Sequence, residues 1–182
     1  MENKNYNKPE IKCKVVSIED LIGVIQEVLS NGKTFCLTIT GASMTPFLHH
    51  LRDQAIFAPL ANHVIRKGDI VFYQRDNGQY VMHRVYYVDE TGVMAIVGDA
   101  QWILESGIRP DQLRAYVIQV VRKGKMISCE HGFWRYVMTI YMDLRIQHPQ
   151  FTQHCIHVIV CLKKILCDPA CVKRYIERRM KR

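Results

Sequence analysis

No stretch of this 182-residue sequence approaches the about 18 consecutive apolar residues that a membrane-spanning helix needs. The longest apolar run, Cys155-Ile-His-Val-Ile-Val-Cys-Leu162, is far shorter and carries a histidine. Met1 to Lys14 is polar and lacks an apolar core, so no secretory signal peptide is expected. The chain is therefore expected to be soluble and cytoplasmic, with peripheral contact at the inner membrane face as the furthest departure. Paired cysteines are missing too. The seven cysteines (Cys13, Cys36, Cys129, Cys155, Cys161, Cys167, Cys171) are odd in number and show no C-x2-C spacing. That disfavours both a disulfide framework and a structural zinc site, even where His154, His157 and four cysteines gather over 154–171. Free thiols, no metal and no other cofactor are expected.

Acidic residues are scarce in one region only. Residues 1–130 hold 15 Lys+Arg against 14 Asp+Glu, whereas residues 131–182 hold 10 against 3. The basic excess thus belongs to the C-terminal third, and it points to an acidic partner, an anionic membrane surface before nucleic acid. No recognisable DNA-binding module accompanies the charge, so no nucleic-acid role is expected. A solvated helical face is the plainer alternative. Repeats and low-complexity segments are absent, and a hydrophobic fraction of 48% excludes wholesale disorder.

The sequence does contain a clear change of period. Ser17-Ile-Glu-Asp20 is a capping-box-like start, followed by Leu21, Ile22, Ile25, Val28 and Leu29 at helical spacing. Asn31-Gly32 ends that helix, which is predicted over 15–32. From Thr34 the pattern becomes that of strands, predicted at Thr34–Thr40, Gln54–Leu60, Ile70–Arg75, Tyr80–Val88, Val93–Val97 and Ala115–Arg122. A hairpin is predicted at Asn77-Gly78. After Lys125 a helical stripe returns in Phe133, Tyr136, Val137, Ile140, Tyr141 and Leu144 and ends near Pro149. A second helix is predicted over His154–Leu166, and a third, basic one after Asp168-Pro169. The expectation is a mainly β protein: a rolled antiparallel β body with its N-terminal helix over 1–130, and a basic helical extension over 131–182.

Two residues stand out chemically. Ser43 lies in Thr40-Gly41-Ala42-Ser43-Met44-Thr45-Pro46, where a strand ends and a proline forces a bend. His83 lies inside the apolar strand Tyr80-Val81-Met82-His83-Arg84-Val85. A serine hydroxyl needs a base within hydrogen-bond reach to become a nucleophile, and a neutral histidine suits that task near pH 7. Alone, Ser43 reads as a turn serine and His83 as a strand histidine. Gly41 and Ala42 leave room for a substrate backbone, and turn N–H groups could face an oxyanion.

The order of motifs carries more weight than either residue. Gly41-Ala42-Ser43-Met44-Thr45-Pro46 resembles the nucleophile box of type I signal peptidases and LexA-like self-cleaving repressors. Lys67-Gly68-Asp69-Ile70-Val71-Phe72-Tyr73 resembles the strand that follows it in both. His83-Arg84-Val85 is similar to the box that holds a catalytic lysine in typical bacterial members and a histidine in the endoplasmic-reticulum, archaeal and sporulation-type signal peptidases. Val97-Gly98-Asp99-Ala100 resembles the Gly-Asp box of that histidine subgroup. The four boxes span roughly residues 35–122 in the family's order.

The resemblance implies a signal-peptidase/LexA-like barrel and a serine endopeptidase that cuts a leader or precursor peptide. Ser43 would be the nucleophile, His83 the base, and Asp99 or Glu105 the acid supporting the histidine. Asp99 is the first choice, since Glu105 stands where the family has aspartate; Asp111, after Pro110 in a turn, is a third candidate. Gly41, Ala42, Met44, Pro46, Val81 and Met82 would contact an extended peptide added as a strand. A peptide-binding module with little turnover is the alternative, and a self-processing regulator ranks last because no Ala-Gly cleavage loop is evident.

Overall fold

The computed structural model describes residues 17–61, 63–130 and 132–153. The predicted helices over 154–166 and after Pro169, the polar N-terminus and the His/Cys-rich stretch at 154–171 lie outside the described residues. The chain is mainly β. Helix α1 (Ile18–Ser30) is followed by β1 (Phe35–Thr38), β2 (Asp53–Ala58), β3 (Ile70–Gln74), β4 (Tyr80–Val88), β5 (Met94–Val97), β6 (Glu105–Ile108), β7 (Leu113–Arg122) and β8 (Lys125–Ser128). Helix α2 (Gly132–Gln147) closes this series, and a short helical run follows at 149–153.

All eight strands join one antiparallel sheet in the order β1-β2-β7-β3-β4-β5-β6, with β8 paired to β7. The sheet is not closed: β1 and β6 are the two ends of the path. Sequence patterning had marked six of the strands. It missed β6, which is short and interrupted by Gly107, and β8, which has the lysines and turn of a loop.

Local chemistry explains the boundaries. The Ser17 hydroxyl accepts the Asp20 N–H at 3.2 Å and starts α1, whose Ile25 and Leu29 are buried against the sheet. Each such side chain contributes roughly 1.5–3 kcal/mol on leaving water. The β3–β4 hairpin turns at Asp76–Gly78, where Gly78 adopts φ +85° and the Gln79 N–H is taken by the Asn77 side chain.

Strand β3 is buried on both faces, which is why Ile70-Val-Phe-Tyr73 reads as a continuous apolar run rather than an alternating one. Ile70 and Phe72 enter the cluster under α1, with Phe57 edge-on to Phe72 and stacked on Phe35. Val71 and Tyr73 enter a second cluster with Val85, Met94, Ile96, Ile108 and Leu113. Tyr73 of this second face lies beside His83.

Between the two ends of the sheet sits a buried ion pair. Arg84 donates from Nε and an Nη to the two Asp99 carboxylate oxygens at 2.8 Å each, and from its other Nη to the Gly68 carbonyl at 3.0 Å. Arg84→Met is expected to cost about 3–5 kcal/mol, because it strands a carboxylate with no exposure. Arg84→Met combined with Asp99→Leu should regain most of that loss, and urea unfolding of both variants checks the pair.

Candidate active site

The loop from Ile39 to Arg52 carries Ser43 and is pinned at both ends. Gly41, at φ +86°, donates its N–H to His50 Nδ1 at 3.0 Å. At the far end the buried Asp53 carboxylate accepts the His49 N–H at 3.0 Å and ion-pairs with Arg52 and Arg122. Burial works against that charge, but the bonds from Arg52, Arg122 and His49 outweigh it and hold the carboxyl well below its usual range. Arg122 also donates to the Phe47 carbonyl.

A second clasp holds the nucleophile turn itself. The Ser43 carbonyl accepts the Ala100 N–H at 2.7 Å. Gly98 makes this approach possible: a Cβ there would lie 2.8 Å from the same oxygen. Gln101 closes the clasp, its N–H on the Gly98 carbonyl at 2.9 Å. The Gly98–Gln101 turn is therefore a template for the Ser43 backbone. Among the described residues neither the Ser43 hydroxyl nor its N–H has a hydrogen-bond partner.

His83 is brought to the same place by strand register. Val71 pairs with His83 across β3–β4, and Ile96 pairs with both Val85 and Glu105 across β4–β5 and β5–β6. Because strand side chains alternate, His83, Val85, Tyr73, Ile96 and Glu105 share one face. Glu105 Oε1 accordingly lies 3.2 Å from His83 Nδ1, and the Tyr73 hydroxyl lies 3.3 Å from the same nitrogen. Tyr73 donates to Glu105 Oε2 at 2.9 Å, and Arg75 clamps the carboxylate through two donors.

The Asp99 carboxylate is bonded to Arg84 rather than to this histidine. Arg84, next to His83 in β4, points to the opposite face and consumes both carboxylate oxygens. Of the two acids that the sequence offers, Glu105 is the one in contact with His83. Asp111 sits in the turn Pro110–Gln112, exposed and facing Arg109.

Ser43 and His83 line a single cleft of about 260 Å³, together with Gly41, Met44, Val81, Met82, Arg75, Gln79 and Gln101. Ala42 and Pro46 are exposed on the loop and are not part of that lining, while Met44 is otherwise buried in the core. Arg75, Gln79, Gln101 and the clasp glycine were not singled out from the sequence. Gly98 was within reach, since it stands in the Gly-Asp motif. Ser43 and His83 are not hydrogen-bonded to each other, as is common for such pairs without substrate. The wall formed by Tyr80–His83 is paired with β3 on one side only, because β5 pairs with β4 from Arg84 onward. Across the cleft, Ile39 and Thr40 continue from the edge strand β1.

The electrostatics favour a neutral imidazole beside a charged carboxylate. Burial pushes His83 below its ordinary value, and Glu105 opposes that only in part. Burial would raise Glu105, yet the bonds from Arg75 and Tyr73 hold it below the usual carboxylate range. No known protein family and no curated protein matches this sequence.

Since the folded-state pKa of His83 is depressed, its neutral form contributes stability that is complete above about pH 6.5 and is lost as pH falls from there through the lower folded value. Glu105→Gln removes an influence that raises His83, so its pKa should drop further. A histidine NMR titration of both proteins reads this, and an upward shift would contradict the arrangement.

Proposed function

We propose that the protein is a serine endopeptidase of the signal-peptidase/LexA-like type, with its open sheet read as the rolled sheet of that superfamily and its substrate a leader or precursor peptide. One observation carries this reading above the others: Ser43 and His83 line one cleft while Nδ1 of His83 is engaged by Glu105. That leaves Nε2 as the nitrogen to take a proton from the serine.

In the proposed reaction Ser43 Oγ attacks the scissile carbonyl as its proton passes to His83 Nε2. Glu105 stabilises the imidazolium, and the Ser43 N–H faces the oxyanion. Collapse breaks the C–N bond, the leaving amine takes the proton from His83, and an acyl-enzyme remains. Water, deprotonated by His83, then attacks the acyl carbon, the C–Oγ bond breaks, and His83 returns the proton to Ser43 as the acid product leaves. The single-sided edge of Tyr80–His83 suits an extended peptide added as a strand, and the narrow cleft suits the small residues that the resemblance implies at the cut.

A peptide-binding module without turnover is the second reading, favoured by Glu105 standing where the family has aspartate. Mass spectrometry of a small-residue-rich peptide library incubated with the protein separates the two. Cleavage lost by about a thousandfold or more in both Ser43→Ala and His83→Ala establishes the peptidase. Binding of peptides with no cleavage by the wild type, unchanged in Ser43→Ala, establishes the module.

Two further outcomes follow if peptides are cut. The acid limb of kcat/KM should lie below the about 6.5 of an ordinary histidine, because burial disfavours the imidazolium. Gly98→Ala, which displaces the Ser43 carbonyl without touching the substrate, should lower kcat on the order of a hundredfold at little cost in KM.

A further inference from the structure

A second hollow adjoins the cleft. It has a volume of about 540 Å³, its open surface is mainly apolar, and it is lined by Arg75, Gln101, Trp102, Ile103 and Glu105. Arg75 and Gln101 line the cleft as well, so the two spaces meet at these side chains. Another hollow, of about 190 Å³, shares Ile39, Thr40, Tyr80, Val81 and Met82 with the cleft but no residue with the first. The cleft that holds Ser43 and His83 therefore lies between the two. The segment 102–104 that walls the larger hollow is anchored at both ends. Gln101 donates its N–H to the Gly98 carbonyl at 2.9 Å, and Arg75 and Tyr73 hold the Glu105 carboxylate. The Trp102 ring, 41% exposed, lies 5.9 Å from the guanidinium of the buried Arg145, and Ile103 is 80% exposed. An exposed tryptophan backed by a buried cation is a preformed wall, and a ligand that meets it loses little to ordering. These apolar side chains do not continue into a hydrophobic span: no helix among the described residues is long and apolar enough to cross a membrane.

On the peptidase reading of the cleft, on which this rests, we propose that the hollow receives the side chain of the residue that follows the scissile bond, and that it selects a large apolar or aromatic one. Continuity with the cleft supplies the occupant: a side chain carried in by the bound peptide. Charge narrows its chemistry. Arg75 and Glu105 are bonded to each other, so the lining offers no unpaired charge to a ligand. Trp102 and Ile103 then reward burial of apolar surface. Direction follows from the reaction. The leaving amine takes its proton from His83, so the chain beyond the scissile bond departs past the histidine rather than past the serine. Glu105, which lies 3.2 Å from His83 Nδ1, also lines the hollow and puts it on the histidine side. The residues before the bond would lie along Tyr80–Met82, where β4 is paired with β3 alone. Trp102 and Ile103 are thus specificity-determining residues for the amine side of the cut.

The test takes the best-cut sequence of the peptide library and places Gly, Ala, Leu, Phe or Trp directly after the cut. kcat/KM is measured for each peptide with the wild-type full chain, Trp102→Ala and Ile103→Ser. Leu or Phe should be favoured over Gly by about tenfold or more in the wild type, the discrimination an apolar pocket gives for a large side chain. That ratio should fall to about threefold or less in Trp102→Ala. It should fall severalfold in Ile103→Ser, whose exposed position keeps the test open if Trp102→Ala does not fold. Each ratio compares two peptides on one protein, so a loss of active fraction cancels. Cleavage with no preference after the cut overturns the subsite and leaves the peptidase standing. So does a preference that both variants leave intact. Variants that change selectivity before the cut instead put the hollow on the acyl side and overturn the proposal. No cleavage of any peptide overturns the peptidase reading, and the subsite with it.

Discussion

The ion pair between Arg84 and Asp99 is the joint on which the other features of this protein hang. Arg84 is the residue after His83, and Asp99 stands between Gly98 and Ala100, the two residues that meet the Ser43 carbonyl. The same Asp99 offers its own carbonyl to Tyr141 of α2. One buried, bidentate contact therefore couples the strand of the candidate base, the turn that templates the candidate nucleophile and the C-terminal helix. A buried pair of this kind gains little net stability over an apolar substitute, but losing either partner is costly, which makes it a strong constraint on geometry.

The second organising feature is the contest over charge at His83. Burial favours the neutral imidazole, which is the form a general base needs. In the proposed reaction Glu105 would stabilise the imidazolium, while Arg75 and Tyr73, which share its carboxylate, hold it in the charged form. Both groups are thus held deprotonated, one neutral and one charged, by environments only a few ångströms apart.

Helix α2 sets a different problem. An amphipathic helix on a folded domain ordinarily turns its apolar stripe inward. Here Phe133, Tyr136, Ile140 and Leu144 lie outward, and the helix is held by Arg135, Tyr141 and Asp143. The stripe seen in the sequence is real as a helical pattern, but four of its six side chains are exposed, while Tyr141 packs on the body alongside Met138. Periodicity reports that a helix has a face and is silent on what that face meets.

Local signals in the sequence determined a great deal: the capped start at Ser17, the hairpin at Asn77-Gly78, the apolar run of β3 and the full extent of β4. These depend on contacts within a few residues, so they are legible one segment at a time. Ser43 and His83 were legible as a pair through motif order. The choice between Asp99 and Glu105 was not, because it turns on which strand face each acid occupies, and that follows from the β5–β6 register across a strand too short and broken to be seen in advance. The clasp of Gly98 on Ser43, the sharing of Glu105 by Arg75 and Tyr73, and the outward turn of α2 join residues far apart in sequence. Only the tertiary structure decided them, since each depends on a close approach between segments that no local pattern encodes.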